Sequence, residues 1–281
     1  MNRSALLLCL LGIATACDDA EKKDAIPSAS AAPAATGVPA TSAITTAATA
    51  TGATAASATA AAEDAPSAGT TRFVVLMGKG TFVIDAPLEK IKGISDEVRG
   101  HVDVNPKDLT TSRGVLMVRM STLKTSTFGD MGKDAAQTDH ARNWMEVGND
   151  SPASARMKYE WASFTIASLE ATPAALADAK DDNGARTIKA RVVGDLTLHG
   201  VTSHKTVPLT ITFKGTADAP TEISLKTDEA FPISMKEHAV MPRDKVGGFL
   251  NGALERIGKK IDDKVAVSFE ANLKATMPPQ P

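Results

Sequence analysis

From residue 71 onward the chain alternates apolar and polar positions with a period of two. Leu116, Val118 and Met120 alternate with Met117, Arg119 and Ser121, and Met157, Tyr159 and Trp161 alternate with Lys158 and Glu160. The pattern returns in Ile188, Ala190, Val192 and Leu196, in Val207, Leu209, Ile211 and Phe213, and in Ile223 and Leu225. Its clearest run is the last, where Val265, Val267, Phe269, Ala271 and Leu273 are interleaved with Lys264, Ser268, Glu270, Asn272 and Lys274. Successive side chains of a strand point to opposite faces, so each run predicts a strand with one buried face. Further strands are expected at Phe73–Met77, Thr81–Asp85 and Val98–Val104. About eight half-buried antiparallel strands must each hide one face, and a sheet closed on itself does so while removing exposed edges. The expected fold is all-β and antiparallel, with a barrel of about eight strands favoured over a sandwich.

Two segments depart from this period. Between Thr125 and Asp150, Met131, Ala135, Ala136, Ala141, Trp144 and Met145 recur at helical spacing, which predicts one or two short helices capping one barrel end. Phe249, Leu250, Leu254, Ile257 and Ile261 also share a helical face, with Lys259 and Lys260 near the C-terminal end where cations suit the helix dipole.

The first 70 residues follow different rules. Arg3, the apolar stretch Ala5–Ile13 and the small residues Ala14-Thr15-Ala16 have the layout of an export signal. The order Leu11-Gly12-Ile13-Ala14-Thr15-Ala16-Cys17 resembles the lipobox of bacterial lipoproteins, whose cysteine is acylated after cleavage. That resemblance implies a lipid anchor at Cys17 and a membrane-anchored lipoprotein on the periplasmic side of the bacterial cell envelope. The alternative is an ordinary secreted protein cleaved near Ala16. From Ala25 to Ala62 there is no charged residue, and Ala, Thr, Ser and Pro fill the segment with few large apolar groups to bury. The expected organisation is a signal peptide over 1–16, a disordered linker over 17–70 with a reach on the order of 40 Å, and a barrel domain over 71–281.

Charge and composition narrow the function. Lys plus Arg number 31 and Asp plus Glu 33, a net charge of −2, so no basic excess exists to engage nucleic acid. No apolar run reaches the roughly 20 residues needed to span a bilayer as a helix. Of the two cysteines, Cys9 falls within the expected signal, and if Cys17 becomes the thioether that the lipobox resemblance implies, the barrel is left to be held by burial alone.

Candidate chemistry is sparse. Asp195 and His199, four apart on a strand, share a face and could pair, but His199 precedes the turn glycine Gly200, and outward polar groups there commonly satisfy turn backbone. His101, Asp103, Asp139 and His140 form no spacing suited to a metal. Neither a nucleophile with its base nor a glycine-rich phosphate loop is present. No catalytic residue, no metal and no cofactor are therefore assigned.

One stretch is more specific. Gly194-Asp195-Leu196-Thr197-Leu198-His199-Gly200-Val201-Thr202, leading into a strand at Val207–Phe213, resembles the signature hairpin of the YceI-like family of polyisoprenoid-binding proteins. Support comes from Ile91–Pro106 with its Gly-x-Val-x-Val-x-Pro ending, from Ser121-Thr122-Leu123-Lys124-Thr125, and from Asn143-Trp144-Met145-Glu146-Val147. Departures occur at Thr138-Asp139-His140-Ala141-Arg142, where the spacing differs, at Trp144-Met145 in place of a Phe pair, and in the longer Phe249–Ile261 segment. The resemblance implies a lipocalin-like barrel, exported to the periplasm, that holds an isoprenoid lipid in an apolar interior. The inward set expected to line it is Leu116, Val118, Met120, Met157, Tyr159, Trp161, Ala190, Val192, Leu196, Phe213 and Phe269. Small and flexible members such as Ala190, Met120 and Met157 leave room for a chain. The alternative is an envelope scaffold or stress-related interaction protein with a filled barrel and no ligand, and a homodimer is a candidate assembly.

Overall fold

The computed structural model describes residues 66–67, 69–85, 90–241 and 263–276. The signal peptide, Cys17, nearly all of the linker and the helix expected over Phe249–Ile261 lie outside the described residues.

The described residues form twelve strands and two α-helices: β1 Thr71–Asp85, β2 Lys90–Ser95, β3 Val98–Val104, β4 Arg113–Arg119, β5 Lys124–Thr125, α1 Met131–Trp144, α2 Ala153–Tyr159, β6 Trp161–Thr172, β7 Asp181–Asp182, β8 Ala185–Leu198, β9 Val201–Gly215, β10 Pro220–Thr227, β11 Phe231–Ser234 and β12 Lys264–Ala275. Eight of the strands close a ring in the order β1, β3, β4, β6, β8, β9, β10, β12 and back to β1, every neighbour antiparallel. The eight-stranded barrel expected from the alternation is thus the fold. The remaining four strands, β2, β5, β7 and β11, pair outside the ring.

The long strand β1 replaces two expected ones. Gly78 and Gly80 interrupt its apolar alternation, yet a Cβ at Gly78 would lie 2.9 Å from the Glu270 carbonyl oxygen, so the small residue lets β12 approach. A bulge between Val75 and Met77 absorbs one residue in the pairing with β12. On its other edge β1 pairs first with β3, from Thr71 opposite Val104, and then with β2, ending with Asp85 opposite Lys90.

A second difference concerns Met157, Tyr159 and Trp161. Residues 153–159 form α2, and strand β6 begins only at Trp161. Its buried phase is then Ala162, Ile166 and Leu169, which turns Trp161 to the outer surface. A shift of one residue moves every side chain of a strand to the opposite face.

One end of the barrel is filled. There, Phe73, Leu109 and Leu176 are fully buried, together with Ile188, Ala190 and Leu273 in one contiguous core. The loops carrying the two leucines are knitted together, since the amide of Leu109 donates to the carbonyl of Ala174 and that of Leu176 to the carbonyl of Pro106, both at 2.8 Å. Asp108 caps the turn Leu109–Thr111 by accepting from the Thr110 amide. On the outer wall, Lys189 and Thr210 hold the Asp228 carboxyl below the usual carboxylate range by hydrogen bonding.

Because Leu109 is fully enclosed, Leu109→Ala is expected to cost about 2–5 kcal/mol of stability. Urea denaturation followed by circular dichroism measures it, and a loss well under 1 kcal/mol would mean that this end is not sealed by side-chain packing.

Candidate functional site

Above the filled end the barrel is hollow. A cavity of about 670 Å³ runs from Ser112 and Val104 at its floor to α1 at the opposite end. Strand β4 supplies Leu116 and Val118, and the turn that follows it supplies Met120; β8 supplies Val192 and Leu196. The wall continues through Val207, Leu209, Ile211 and Phe213 of β9, and Val265, Val267 and Phe269 of β12. Trp144 and Met145 of α1 and its cap, with Leu198, Met235 and Val240, narrow the far end, where the cavity reaches the exposed side chains of Phe128, Lys133 and Ala136. The titratable side chains on the wall are Lys133 and His140, both on α1. Such a space takes an apolar body and leaves any polar group at the α1 end.

Seven of the residues expected on the wall lie there: Leu116, Val118, Met120, Val192, Leu196, Phe213 and Phe269. Four do not. Ala190 points inward but belongs to the filled end, opposite Leu209 and Ala171 in the ladder. Met157 is 72% exposed on α2. Tyr159 ends α2 and stacks on His199 with ring centroids 4.0 Å apart. Trp161 lies outside, where the guanidinium groups of Arg99 and Arg119 sit over its ring at 5.1 and 5.8 Å. Arg119 is in turn bound by Glu97 and Glu160, whose hydrogen bonds raise its pKa above the ordinary guanidinium value. The sequence reading missed the contribution of α1 to the wall, because Phe128, Lys133 and His140 fall outside any strand alternation.

The rim is built on a buried polar network that the sequence reading also missed. His199 is not an outward group. The β8–β9 hairpin turns through His199 and Gly200 with φ of +50° and +77°, the pair of positive values that suits the right-handed twist of a two-residue hairpin. This conformation folds the imidazole inward, where Nδ1 donates to the carbonyl of His238 at 3.2 Å and Nε2 lies 2.9 Å from Glu146 Oε2. His238 is fully buried, donates from Nδ1 to the carbonyls of Leu198 and Val201, and accepts from Ser203 Oγ at 3.0 Å. Asp195, the partner considered for His199, instead pairs with His204 on the outer face at 3.0 Å.

Glu146 reaches His199 because of how α1 ends. The amide of Val147 bonds the carbonyl of Arg142 and that of Glu146 the carbonyl of Asn143, which is the helix ending usually made with glycine. Glu146 holds φ of +57° there. Ala239, beside His238, has φ of +54°. Among the described residues, three of the four non-glycine residues with positive φ thus converge on this network. A strained backbone persists only where its surroundings determine it. Here they fix the end of α1, the hairpin turn and the loop after β11 against one another, beside a small apolar cluster of Met145, Val147 and Val240.

Among the described residues, no three His, Cys, Asp or Glu side chains come together to hold a metal ion. The fold and cavity define a closed β-barrel with an apolar interior. The family model of the YceI-like domain matches residues 38–273, and the chain belongs to the YceI-like family.

The chain is also similar, at low identity, to several solved structures. A polyisoprenoid-binding domain from Saccharophagus degradans is 15% identical, with 74% of this chain and 99% of that one covered and a TM-score of 0.49. BcnA of Burkholderia cenocepacia is also 15% identical, with 69% and 95% covered and a TM-score of 0.45. The YceI protein of Campylobacter jejuni, at 15% identity, covers 66% of this chain and 85% of its own, with a TM-score of 0.37. No curated protein matches the sequence at a significant level.

Removing the Glu146 side chain leaves a buried imidazole nitrogen without its partner, so Glu146→Ala is expected to cost about 2–3 kcal/mol. Glu146→Gly loses the same bond but adopts the left-handed conformation freely, and should recover about 1 kcal/mol of that loss. Urea titrations of both variants measure the difference, and equal losses would show that residue 146 carries no backbone strain.

Proposed function

We propose that this barrel binds the hydrocarbon chain of an isoprenoid lipid, of the polyprenol or quinone type, and carries or sequesters it at the periplasmic face of the cell envelope. The observation that carries this reading is the cavity: about 670 Å³ inside a closed barrel, walled by aliphatic, aromatic and methionine side chains. Filling it with hydrocarbon removes apolar area from water at about 25 cal/mol per Å² before the costs of association, so affinity needs no charged contact along the chain. Met120, Met145 and Met235 near the far end supply flexible surfaces that accommodate a branched chain. Lys133, Gln137 and His140 give the α1 end hydrogen-bonding groups suited to a polar head. The family resemblance supports the isoprenoid class. The cavity favours this reading over the alternative of a scaffold with a filled barrel.

Attachment belongs to the same proposal. An acylated Cys17 would tether the barrel to the membrane through a long polar-to-small-residue linker, and more than one acyl chain makes such an anchor stable.

Two measurements test these readings. Mass spectrometry of an organic extract of the purified protein should find a prenyl lipid. Met120→Trp should lower its amount while costing less than the roughly 1–3 kcal/mol of an overfilled core, and Trp161→Ala, altered outside the cavity, should leave it unchanged. No prenyl lipid in the wild-type extract, or a stability loss with unchanged lipid in Met120→Trp, would overturn the binding reading. For the anchor, Cys17→Ser should abolish labelling by radioactive palmitate and move the protein out of the detergent phase; equal partition of both forms would refute it.

A further inference from the structure

The two ends of the barrel differ in kind. The end that holds Phe73, Leu109 and Leu176 is filled. The α1 end carries large apolar side chains in the open: Phe128 is 44% exposed, Met131 92% and Met157 72%, while on β1 Leu76 and Met77 are exposed as well. Phe128 belongs to the cavity rim as well as to the surface, so the exposed apolar surface is continuous with the cavity wall.

Each patch has cations beside it. Lys133 stands 5.9 Å from the Phe128 ring, and Arg156 and Lys158 flank Met157 on the exposed side of α2. None of the three has an acidic partner among the described residues, whereas most of the neighbouring carboxyls are occupied. Asp130 accepts from the Lys133 amide, Asp134 from the Phe128 amide, Glu160 from Arg119, and Asp150 from Asn143; Asp139 remains exposed on α1. Between α1, α2 and the end of β4 lies a cleft of about 280 Å³ of mixed charge, lined by Arg119, Arg142 and Arg156 together with Asp139 and Glu160, with Met157 at its edge. Arg142 donates from Nε to the carbonyl of Leu123 at 2.9 Å. An apolar side chain next to unpaired cations is the surface chemistry of a segment that settles into the headgroup and upper acyl region of an anionic bilayer.

We propose that the α1 end is a docking face for an anionic phospholipid bilayer, with Phe128 and Met131 beside α1 and Met157 on α2 entering the interface, and with Lys133, Arg156 and Lys158 on lipid phosphates. The proposal rests on the lipid-binding reading above and adds the route of loading. An isoprenoid chain crossing water would expose every methylene to solvent at a free-energy cost that grows with its length. A rim seated on the membrane lets the chain pass from bilayer to cavity without that exposure.

The test uses the full chain and vesicles of phosphatidylglycerol and phosphatidylethanolamine carrying a deuterated polyprenol. Protein is recaptured at intervals, and its polyprenol content is read by mass spectrometry. Three variants are compared with wild type: Met131→Glu and Met157→Glu, which lie outside the cavity, and Leu76→Glu, which places the same change on β1 away from the rim, where Leu76 is 65% exposed. The docking face predicts that Met131→Glu and Met157→Glu load about tenfold more slowly yet reach the wild-type endpoint, that Leu76→Glu loads at the wild-type rate, and that loading from purely phosphatidylcholine vesicles is slower. Wild-type rates in both rim variants, or equal slowing in Leu76→Glu, overturn it. A wild-type protein that takes up no polyprenol at any time refutes the lipid-binding reading itself, and thereby differs from a failure of docking, in which uptake persists without dependence on the rim.

Discussion

Everything in this structure depends on the pairing of its first and last long strands. Strand β1 runs against β12 from Phe73 opposite Ala275 to Ile84 opposite Val265, joining residues about 200 positions apart. Without that seam the other seven neighbours would form an open sheet with two unpaired edges and one apolar face in water. With it, the perimeter is fixed at eight strands, a size whose interior can be filled by side chains or can hold one small ligand. Both solutions occur here at different heights. Two loops push Leu109 and Leu176 into one end and complete a core there, while the described residues leave a cavity in the middle.

The far end is organised by polar contacts. Hydrophobic burial is non-directional, and an open rim offers too few apolar contacts to set the positions of three loops. The network of Glu146, His199, His238 and Ser203 supplies direction: each donor faces an acceptor, and the loops that carry them are brought into one arrangement. Left-handed backbone at Glu146, His199 and Ala239 is the cost of that arrangement. At two of the three positions a glycine would relieve the strain but would lack the side chain that the network uses. The apolar cavity is thus framed by a rim whose geometry is specified by hydrogen bonds rather than by packing.

The long strands were legible because their signal is local. In β8, β9 and β12 each inward residue is flanked by polar ones, so the face is determined within five or six positions, and Val192, Leu196, Phe213 and Phe269 were placed on the interior for that reason. The run Met157, Tyr159 and Trp161 carried the same local pattern and misled. Three alternating positions also fit part of a short helix followed by a strand start, and the ladder between Arg119 and Trp161 settles which residue begins the strand. The glycines of β1 had the opposite effect, splitting one strand into two because the reason for small residues there is the approach of β12, which no local window contains.

Period-two alternation along the chain therefore determined the all-β class and seven residues of the cavity wall, and the hairpin around His199 carried the resemblance to the family. These are properties of single strands and of one turn, set by covalent geometry and by which residues avoid water. Only the tertiary structure decided that Ala190 belongs to a filled end while Val192, two residues on, borders a cavity, and that His199 turns inward to Glu146, 53 residues earlier in the chain. The physical reason is that filling and pairing depend on what arrives from distant segments: a side chain's inward direction is fixed by its own strand, but the space in front of it is fixed by the loops and helices that close the barrel's ends.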